Sequence, residues 1–178
     1  MSSIEQKIKE FIREVPDFPK QGVNFKDITT LLENPSMCRE ITNYNAETYK
    51  SETIDAIVGI ESRGFLFGFT MAIKLGVPFI LARKKGKLPG QKISYSYDLE
   101  YGTSIVEMHS DSIKPGDRVL IHDDLLATGG TANAVAELVK LQQGTVIGFN
   151  FLIELSFLTG RQTLEQQSNN IVSLVKYH

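Results

Sequence analysis

The chain has 178 residues, of which 42% are hydrophobic and 22% charged, as in an ordinary globular protein. One domain over residues 1–178 is expected, long enough to bury about 70% of its unfolded surface. A formal net charge of −2 gives no overall attraction to nucleic acid or anionic membranes, so neither is an expected partner. One cysteine excludes an internal disulfide, and no secretory signal or apolar run of about 18 residues is present, so a cytoplasmic location is expected.

The N-terminal part predicts two helices joined by an extended loop. Apolar residues recur at helical spacing near the start: Ile4, Ile8, Phe11, Ile12 and Val15. A capping box that begins at Ser2 or Ser3 would start this helix, and Pro16 would end it. The loop then runs through Phe25, and a second helix is expected over about residues 36–49.

The remainder of the chain alternates strand and helix patterns. Apolar runs predict strands at about residues 54–60, 77–82, 104–109, 118–122, 146–155 and 171–175. Helices are expected over 64–75 and 130–143, ended by Gly76 and Gly144. Residues 83–103, rich in Lys, Gly and Tyr, predict a long mobile loop or flap. This succession predicts an α/β fold with a parallel sheet and helices on both faces.

The most informative segment is VLIHDDLLATGGTA, residues 119–132. An apolar strand runs into the acid pair Asp123 and Asp124, and a glycine-containing turn then leads into an Ala-rich helix. Backbone amides in such a turn, together with the positive end of a helix dipole, bind phosphate. The expected phosphate-binding residues are Ala127, Thr128, Gly129, Gly130 and Thr131. The carboxylates can accept hydrogen bonds from a diol or reach a divalent metal, or alternatively cap a helix beside solvent.

Two further polar segments follow predicted strands, Glu61-Ser62-Arg63-Gly64 and Arg83-Lys84-Lys85. Because the carboxyl ends of parallel strands meet at one edge of a sheet, these segments and the acid pair should lie together. The alternative for the basic segment is a solvated surface run. Neither a Walker A loop nor a G-x-G-x-x-G sequence after a strand is present.

Six segments in chain order carry a family resemblance. They are FPKQGVNFKDIT (18–29), GIESRGFLFG (59–68), ARKKGKLPG (82–90), YDLEYG (97–102), DDLLATGGTA (123–132) and IELSFLTGR (153–161). Together they resemble the adenine phosphoribosyltransferases of the type I phosphoribosyltransferase family over almost the whole chain. The resemblance implies a parallel twisted sheet flanked by helices, with a flexible flap and a small adenine-binding hood.

The resemblance also implies an activity in purine salvage. The 5-phosphoribosyl group of 5-phosphoribosyl 1-pyrophosphate (PRPP) would pass to adenine, giving AMP and pyrophosphate through an oxocarbenium-like centre at C1′. Mg²⁺ is the implied cofactor, held mainly by substrate oxygens and water, with no protein ligand assigned. A homodimer is the implied assembly.

The resemblance assigns residues to each part of the substrates. Asp123 and Asp124 would accept hydrogen bonds from the ribose hydroxyls, and the turn that follows them would bind the 5′-phosphate. The residues on the pyrophosphate side would be Arg63, Arg83 and Lys87, beside a cis peptide between Glu61 and Ser62. The adenine pocket would comprise Asn24, Phe25, Lys26 and Leu155. Glu100 would be the catalytic residue near adenine N7, and Tyr101 would belong to the lid.

Some residues depart from the family pattern or allow another interpretation. Lys26 stands where arginine is usual, and Gln21 replaces a common proline. His122 either tunes the pKa of Asp123 or is structural, and the alternation of side chains along a strand favours the structural role. Three phenylalanines are expected in core and interface packing: Phe65, Phe67 and Phe69.

Two rival functions use the same scaffold. One is a non-catalytic regulator that binds PRPP as a signal, for which Glu100 would be only part of the flap surface. The other is a transferase for hypoxanthine, guanine or xanthine. The short chain and its charge of −2 leave no room for an added nucleic-acid-binding domain or a basic face, which disfavours the regulator.

Overall fold

The computed structural model describes residues 3–99 and 102–178. The elements of this part of the chain, in order, are α1 (Ile4–Phe11), β1 (Arg13–Pro16), β2 (Asn24–Asp27), α2 (Thr29–Leu32), α3 (Pro35–Thr48), β3 (Ala56–Ile60), α4 (Gly64–Leu75), β4 (Phe79–Lys84), β5 (Lys92–Leu99), β6 (Gly102–His109), β7 (Arg118–Leu126), α5 (Gly130–Leu141), β8 (Thr145–Leu155), α6 (Gly160–Glu165) and β9 (Ile171–Tyr177).

A seven-stranded sheet in the order β5-β6-β4-β3-β7-β8-β9 forms the centre of the fold. The strands from β4 to β9 in this order are parallel, whereas β6 pairs antiparallel with both β4 and β5. Alternate residues of the buried strand β3 face opposite layers: Val58 packs in the cluster that contains α5, and Ile57 packs with Tyr49, which follows α3, and Met71 of α4. The predicted α/β fold with helices on both faces is confirmed.

The N-terminal helix is shorter than the sequence predicted. Its capping box at Ser3 and Gln6 is present, but α1 ends at Phe11. Val15, expected on the helix, instead lies on β1 opposite Phe25 of β2, and this small two-stranded sheet is the hood. Main-chain pairing with β2 therefore outweighs the weak helical preference of a segment that contains a β-branched residue.

The prediction of a loop over residues 83–103 was wrong for most of that segment. Strands β5 and β6 form an antiparallel hairpin in which Tyr97 lies opposite Ser104. Three alternate residues of β5, Ile93, Tyr95 and Tyr97, pack against the core. Their spacing of two residues was a strand signal, which the polar composition of the surrounding segment obscured.

Smaller corrections concern element ends. Strand β7 continues to Leu126, so the acid pair lies within the strand and not after it. Helix α5 ends at Leu141, and the left-handed residue after it is Gln143, with φ of 63°, instead of Gly144. A Cβ on Gly144 would come within 2.8 Å of Ile113 Cγ2, so close packing is the feature that requires this glycine. The short helices α2 and α6 were not predicted.

Candidate functional site

A cavity of about 400 Å³ lies where β3, β4 and β7 end, and the hairpin contributes to its wall. Its lining residues are Ile60, Glu61, Ser62, Arg63, Ala82, Arg83, Lys84, Tyr97, Val106, Asp123, Asp124, Leu125 and Thr131. The three polar segments that the sequence placed at one sheet edge therefore line the same cavity. The turn after β7 lines a smaller cavity of about 80 Å³.

The acid pair is held by short polar contacts. The Asp124 backbone N–H donates to Asp123 Oδ1 at 2.8 Å, and Arg63 Nε lies 2.9 Å from Asp124 Oδ2. Burial raises the pKa of both carboxyls, and the charge of Asp124 raises the pKa of Asp123 further. The Arg63 guanidinium acts in the opposite direction on both. The site thus holds a buried carboxyl, Asp124, beside a half-buried one, Asp123, with the Arg63 guanidinium next to Asp124, an arrangement that favours hydroxyl donors as ligands.

The turn between β7 and α5, residues 127–131, is called the phosphate loop below. Gly129 precedes α5 with φ of 79°, a conformation that favours glycine. A Cβ at this position would lie 2.8 Å from the carbonyl oxygen of Gly160, and a Cβ on Gly160 would overlap the carbonyl oxygen of Ala127. Gly160, at the start of α6, therefore shapes the phosphate loop. The sequence analysis missed this role, although Gly160 stands in the motif IELSFLTGR.

On the opposite side of the cavity, Arg83 is held by Glu61. Arg83 Nε lies 3.2 Å from Glu61 Oε2, and Arg83 Nη1 donates to the carbonyl oxygen of Lys87 at 2.9 Å. Burial raises the pKa of Glu61, but hydrogen bonds from Arg83 and from the Lys84 N–H outweigh burial and keep this pKa below its usual value. The expected cis peptide between Glu61 and Ser62 is present. Lys84 lines the cavity, whereas the Lys87 side chain does not.

The hood covers a further pocket of about 410 Å³, which is almost entirely apolar. Its lining residues are Val15, Phe18, Phe25, Asp27, Thr29 and Arg63. The rings of Phe18 and Phe25 meet edge to face with centroids 5.2 Å apart, and the Arg63 guanidinium carbon lies 5.2 Å from the Phe25 centroid. Because Arg63 lines both spaces, the apolar pocket adjoins the cavity at the strand ends.

The other predicted adenine-pocket residues do not line this apolar pocket. Lys26 Nζ lies 2.7 Å from Glu14 Oε1 and 4.1 Å from the Tyr177 ring centroid. The Asn24 side chain donates to Glu14 Oε2 at 2.7 Å. Leu155 lies opposite Tyr177 in the pairing of β8 with β9 and packs against the core. The side chains of Lys26 and Asn24 therefore fasten the hood, which leaves their backbone groups as the predicted contacts with a base.

His122 belongs to a buried polar chain. Its Nδ1 lies 2.7 Å from Asn150 Oδ1, and the Asn150 amide donates to Asn45 Oδ1 at 3.1 Å. Burial lowers the pKa of His122 to about 4, so the ring is neutral at pH 7. These contacts support the structural interpretation of His122.

The three phenylalanines differ in environment. Phe67 is buried in the core, and Phe65 packs edge to face on Phe79. Phe69 also contacts Phe79 but is 53% exposed.

Glu100 and Tyr101 lie outside the described residues, so their assigned roles stay predictions. In residues 3–99 and 102–178, no helix is long and apolar enough to cross a membrane, and no three His, Cys, Asp or Glu residues group as a metal site.

The family model of the phosphoribosyl transferase domain matches residues 27–176. The chain belongs to this family. It is 48% identical over 174 residues to an adenine phosphoribosyltransferase of Cytophaga hutchinsonii, a match that covers 98% of this chain and 96% of that protein. The resemblance inferred from the sequence is thereby confirmed.

Solved structures of this phosphoribosyl transferase family share the fold over nearly the whole chain. The crystal structure of adenine phosphoribosyltransferase from Thermoanaerobacter pseudethanolicus has a TM-score of 0.93 at 47% identity, covering 97% of this chain and 99% of that one. The enzyme from Saccharomyces cerevisiae has a TM-score of 0.89 at 38% identity, covering 96% and 98%, and was crystallised with adenine and an imino-altritol bisphosphate.

Proposed function

We propose that this chain transfers the 5-phosphoribosyl group of PRPP to adenine, releasing AMP and pyrophosphate. The observation that carries the proposal is one cavity in which an acid pair, Thr131 of the phosphate loop and two arginines meet, beside the smaller cavity that the whole loop lines. A phosphorylated sugar with two neighbouring hydroxyls and an anionic leaving group matches each of these features. The relatives named adenine phosphoribosyltransferase support adenine as the acceptor.

The acid pair and the phosphate loop would hold the donor. Asp123 and Asp124 accept hydrogen bonds from the ribose hydroxyls, which replace the water that their burial removes. The phosphate loop, Ala127, Thr128, Gly129, Gly130 and Thr131, supplies amides and hydroxyls to the 5′-phosphate at the start of α5. Both contacts fix the ribose so that C1′ faces the acceptor.

The basic residues would stabilise the departing pyrophosphate. Arg63 and Arg83 line the cavity, and each is already ordered by a carboxylate, Asp124 and Glu61 respectively. Lys87 would add a further positive charge. Its backbone carbonyl accepts a hydrogen bond from Arg83, which holds the loop that carries Lys87. Guanidinium groups fixed before the reaction stabilise developing negative charge without reorganisation.

Mg²⁺ is proposed as the cofactor. PRPP would bring a polyanion close to two carboxyls, and a divalent cation would reduce their repulsion and stabilise the leaving pyrophosphate. Asp123 and Asp124 would offer oxygen donors to such a hard cation, directly or through water, whereas Glu61, the other carboxylate that lines the described cavity, is paired with Arg83.

The apolar pocket of the hood would receive adenine. Phe25 offers a stacking face there, and we keep Asn24 and Lys26 as backbone contacts and Leu155 as an apolar wall. Backbone groups that pair with a 6-amino edge would reject 6-oxopurines, because a buried donor or acceptor would then lack a partner. Because this pocket adjoins the cavity at the strand ends, adenine bound in it would have its N9 near C1′ of the ribose.

Glu100 is proposed as the acid–base residue, and Tyr101 as part of the lid that excludes water. Replacement of Glu100 by alanine is expected to lower kcat about 100-fold while PRPP affinity changes little, because only proton transfer is lost. Steady-state kinetics with PRPP binding as the control would check this. An unchanged kcat would remove Glu100 from the mechanism.

The proposed assembly is a homodimer and the proposed location is the cytoplasm. Three apolar residues share the exposed side of α4 at positions 66, 69 and 73, and a second copy of the chain would cover them. The single cysteine of the chain suits a reducing compartment.

Incubation with PRPP, Mg²⁺ and a panel of purine bases tests the proposal. AMP formation from adenine, with no product from hypoxanthine, guanine or xanthine, is the expected result. PRPP binding without turnover of any base would indicate the regulator, and turnover only of a 6-oxopurine would indicate the other transferase.

A further inference from the structure

A hydrogen bond joins the hairpin to the phosphate loop. The hydroxyl oxygens of Tyr97 and Thr131 lie 3.0 Å apart, and either can be the donor. Tyr97 is on β5, and Thr131 is in the first turn of α5. Both residues line the main cavity, so this contact stands at the wall that a phosphorylated sugar would touch.

The position of the Tyr97 hydroxyl is set by apolar packing. Tyr97 follows Ile93 and Tyr95 on the face of β5 that packs against the core. The ring is therefore fixed by contacts that do not involve its oxygen, and the hydroxyl extends from this fixed ring to Thr131. Loss of the oxygen alone would remove the link and leave the packing of the ring unchanged.

An anion on the phosphate loop would give this hydrogen bond a direction. A threonine hydroxyl has one proton and can accept through its lone pairs. When Thr131 donates its proton to a phosphate oxygen, it can only accept from Tyr97, so the Tyr97 hydroxyl must donate. Consecutive hydrogen bonds that end on an anion polarise one another, which strengthens the contact between the hairpin and the loop.

We propose that Tyr97 is a positioning residue that couples occupancy of the 5′-phosphate site to docking of the hairpin. This inference rests on the proposed function, because it takes the phosphate loop as the binding site of the 5′-phosphate. Glu100 lies three residues after Tyr97 in the sequence. A phosphorylated sugar in the cavity thus fixes the start of the segment that carries the proposed acid–base residue.

The first test replaces Tyr97 by phenylalanine and uses ribose 5-phosphate and pyrophosphate as separate probes. Calorimetry should show affinity for ribose 5-phosphate lowered about tenfold, as for loss of one hydrogen bond in a chain that ends on an anion, and affinity for pyrophosphate unchanged. The KM for PRPP should rise by a similar factor while the KM for adenine stays constant. Tyr95→Phe is the matched control, since Tyr95 shares the strand face but does not line the cavity.

A double-mutant cycle with Thr131 separates coupling from a general structural effect. In a Thr131→Val background, which lacks the hydroxyl, Tyr97→Phe should cause no further loss of ribose 5-phosphate affinity. In a Thr131→Ser background, which keeps the hydroxyl, the loss should again be about tenfold. Equal losses in the wild-type and Thr131→Val backgrounds would overturn the proposal.

Hydrogen exchange provides a direct measurement of the coupling, first in the wild-type chain. Ribose 5-phosphate, but not pyrophosphate, should slow amide exchange in β5 and β6, and Thr131→Val should abolish that slowing. Exchange that is indifferent to ribose 5-phosphate would overturn the coupling. A wild-type chain that forms AMP while Tyr97→Phe binds ribose 5-phosphate normally would refute this inference alone, whereas a chain that forms no AMP would refute the proposed function.

Discussion

At Gly129 two separate constraints exclude a side chain. Its φ is 79°, and a Cβ would lie 2.8 Å from the Gly160 carbonyl oxygen. Gly129→Ala is expected to raise the KM for PRPP more than about tenfold, because the backbone must leave the shape that presents amides to phosphate, and to lower the free energy of unfolding by about 1–3 kcal/mol. Kinetics and chemical denaturation would measure the two effects.

Gly116 is the matched control for Gly129. Its φ is 88°, but nothing lies within 4 Å of a Cβ built there. Gly116→Ala should therefore lower stability by about 1–2 kcal/mol through backbone strain alone and leave the KM for PRPP unchanged. Equal KM values for Gly129→Ala and the wild type would contradict the assignment of the phosphate loop.

The raised pKa of Asp123 predicts that this residue destabilises the ligand-free protein at neutral pH. A carboxyl whose pKa is higher in the folded state binds a proton more readily when folded. Its contribution to stability is therefore complete below the ordinary pKa, about 3.9, and is lost as the pH rises through the folded value. Asp123→Asn should raise the Tm at pH 7, with a gain that shrinks as the pH approaches 4, and should weaken ribose 5-phosphate binding. Thermal unfolding across pH would check this.

Asp27 provides a comparison of opposite sign. A hydrogen bond from the Thr29 N–H, then one from Arg13, lowers its pKa to about 2. Asp27 therefore contributes stability that is present above its ordinary pKa and is lost as the pH falls towards 2. Asp27→Asn should lower the Tm at pH 7. A lower Tm at pH 7 for Asp123→Asn as well would contradict the argument from burial.

At the scale of elements, the hood is held to the sheet by Lys26. Its side chain is only 9% exposed, between Glu14 of β1 and the ring of Tyr177 on β9. Lys26→Met would remove both charge interactions and is expected to raise the KM for adenine about threefold to tenfold, with the KM for PRPP unchanged, because only the hood is loosened. Steady-state kinetics with each substrate varied in turn would measure this split.

Two variants control the Lys26 prediction. Lys26→Arg keeps the positive charge and should retain the wild-type KM for adenine. Lys9→Met removes a more distant cation, 5.2 Å from the Tyr177 centroid, and should have little effect. If Lys26→Met raises the KM for both substrates equally, Lys26 has a general structural role.

The sequence predicted the regular elements where one period or one cap dominates. The bounds of α4 were predicted correctly because a continuous apolar segment ends at Gly76, which has φ of 71°. Strands β1 and β2 of the hood and strand β5 of the hairpin were not predicted from the residue pattern, because their formation depends on pairing with other segments. Val15 is a strand residue only because Phe25 lies opposite it. Local propensity carries no information about such a partner.

At the scale of the whole molecule, the exposed side of α4 predicts association. Leu66, Phe69 and Ile73 are 42%, 53% and 65% exposed and follow one another at helical spacing. Ile73→Glu should convert the proposed dimer to a monomer, because a buried unpaired carboxylate opposes a symmetric apolar contact. Sedimentation velocity would give the molecular mass.

Leu141 supplies the control for association. It is 62% exposed at the end of α5, away from the α4 positions in the sequence. Leu141→Glu should leave the molecular mass unchanged. A wild-type monomer, or an Ile73→Glu variant that remains dimeric, would contradict the proposed interface.

The candidate site was predicted in its chemistry more completely than in its geometry. The meeting of Arg63, Arg83 and the acid pair in one cavity follows from parallel strands that end at one edge. The sequence did not indicate three of the contacts: the pairing of Arg83 with Glu61, the hydrogen bond of Tyr97 with Thr131, and the place of Phe18 in the hood pocket. These contacts depend on side-chain directions that only the packed structure determines.

The close approach of Gly160 to Ala127 limits how far the ATGGT pentapeptide can be transplanted. In a scaffold that received this pentapeptide but had a residue other than glycine at the place of Gly160, the side chain of that residue would overlap the backbone of the turn. Grafting experiments should therefore move the opening of α6 together with the pentapeptide.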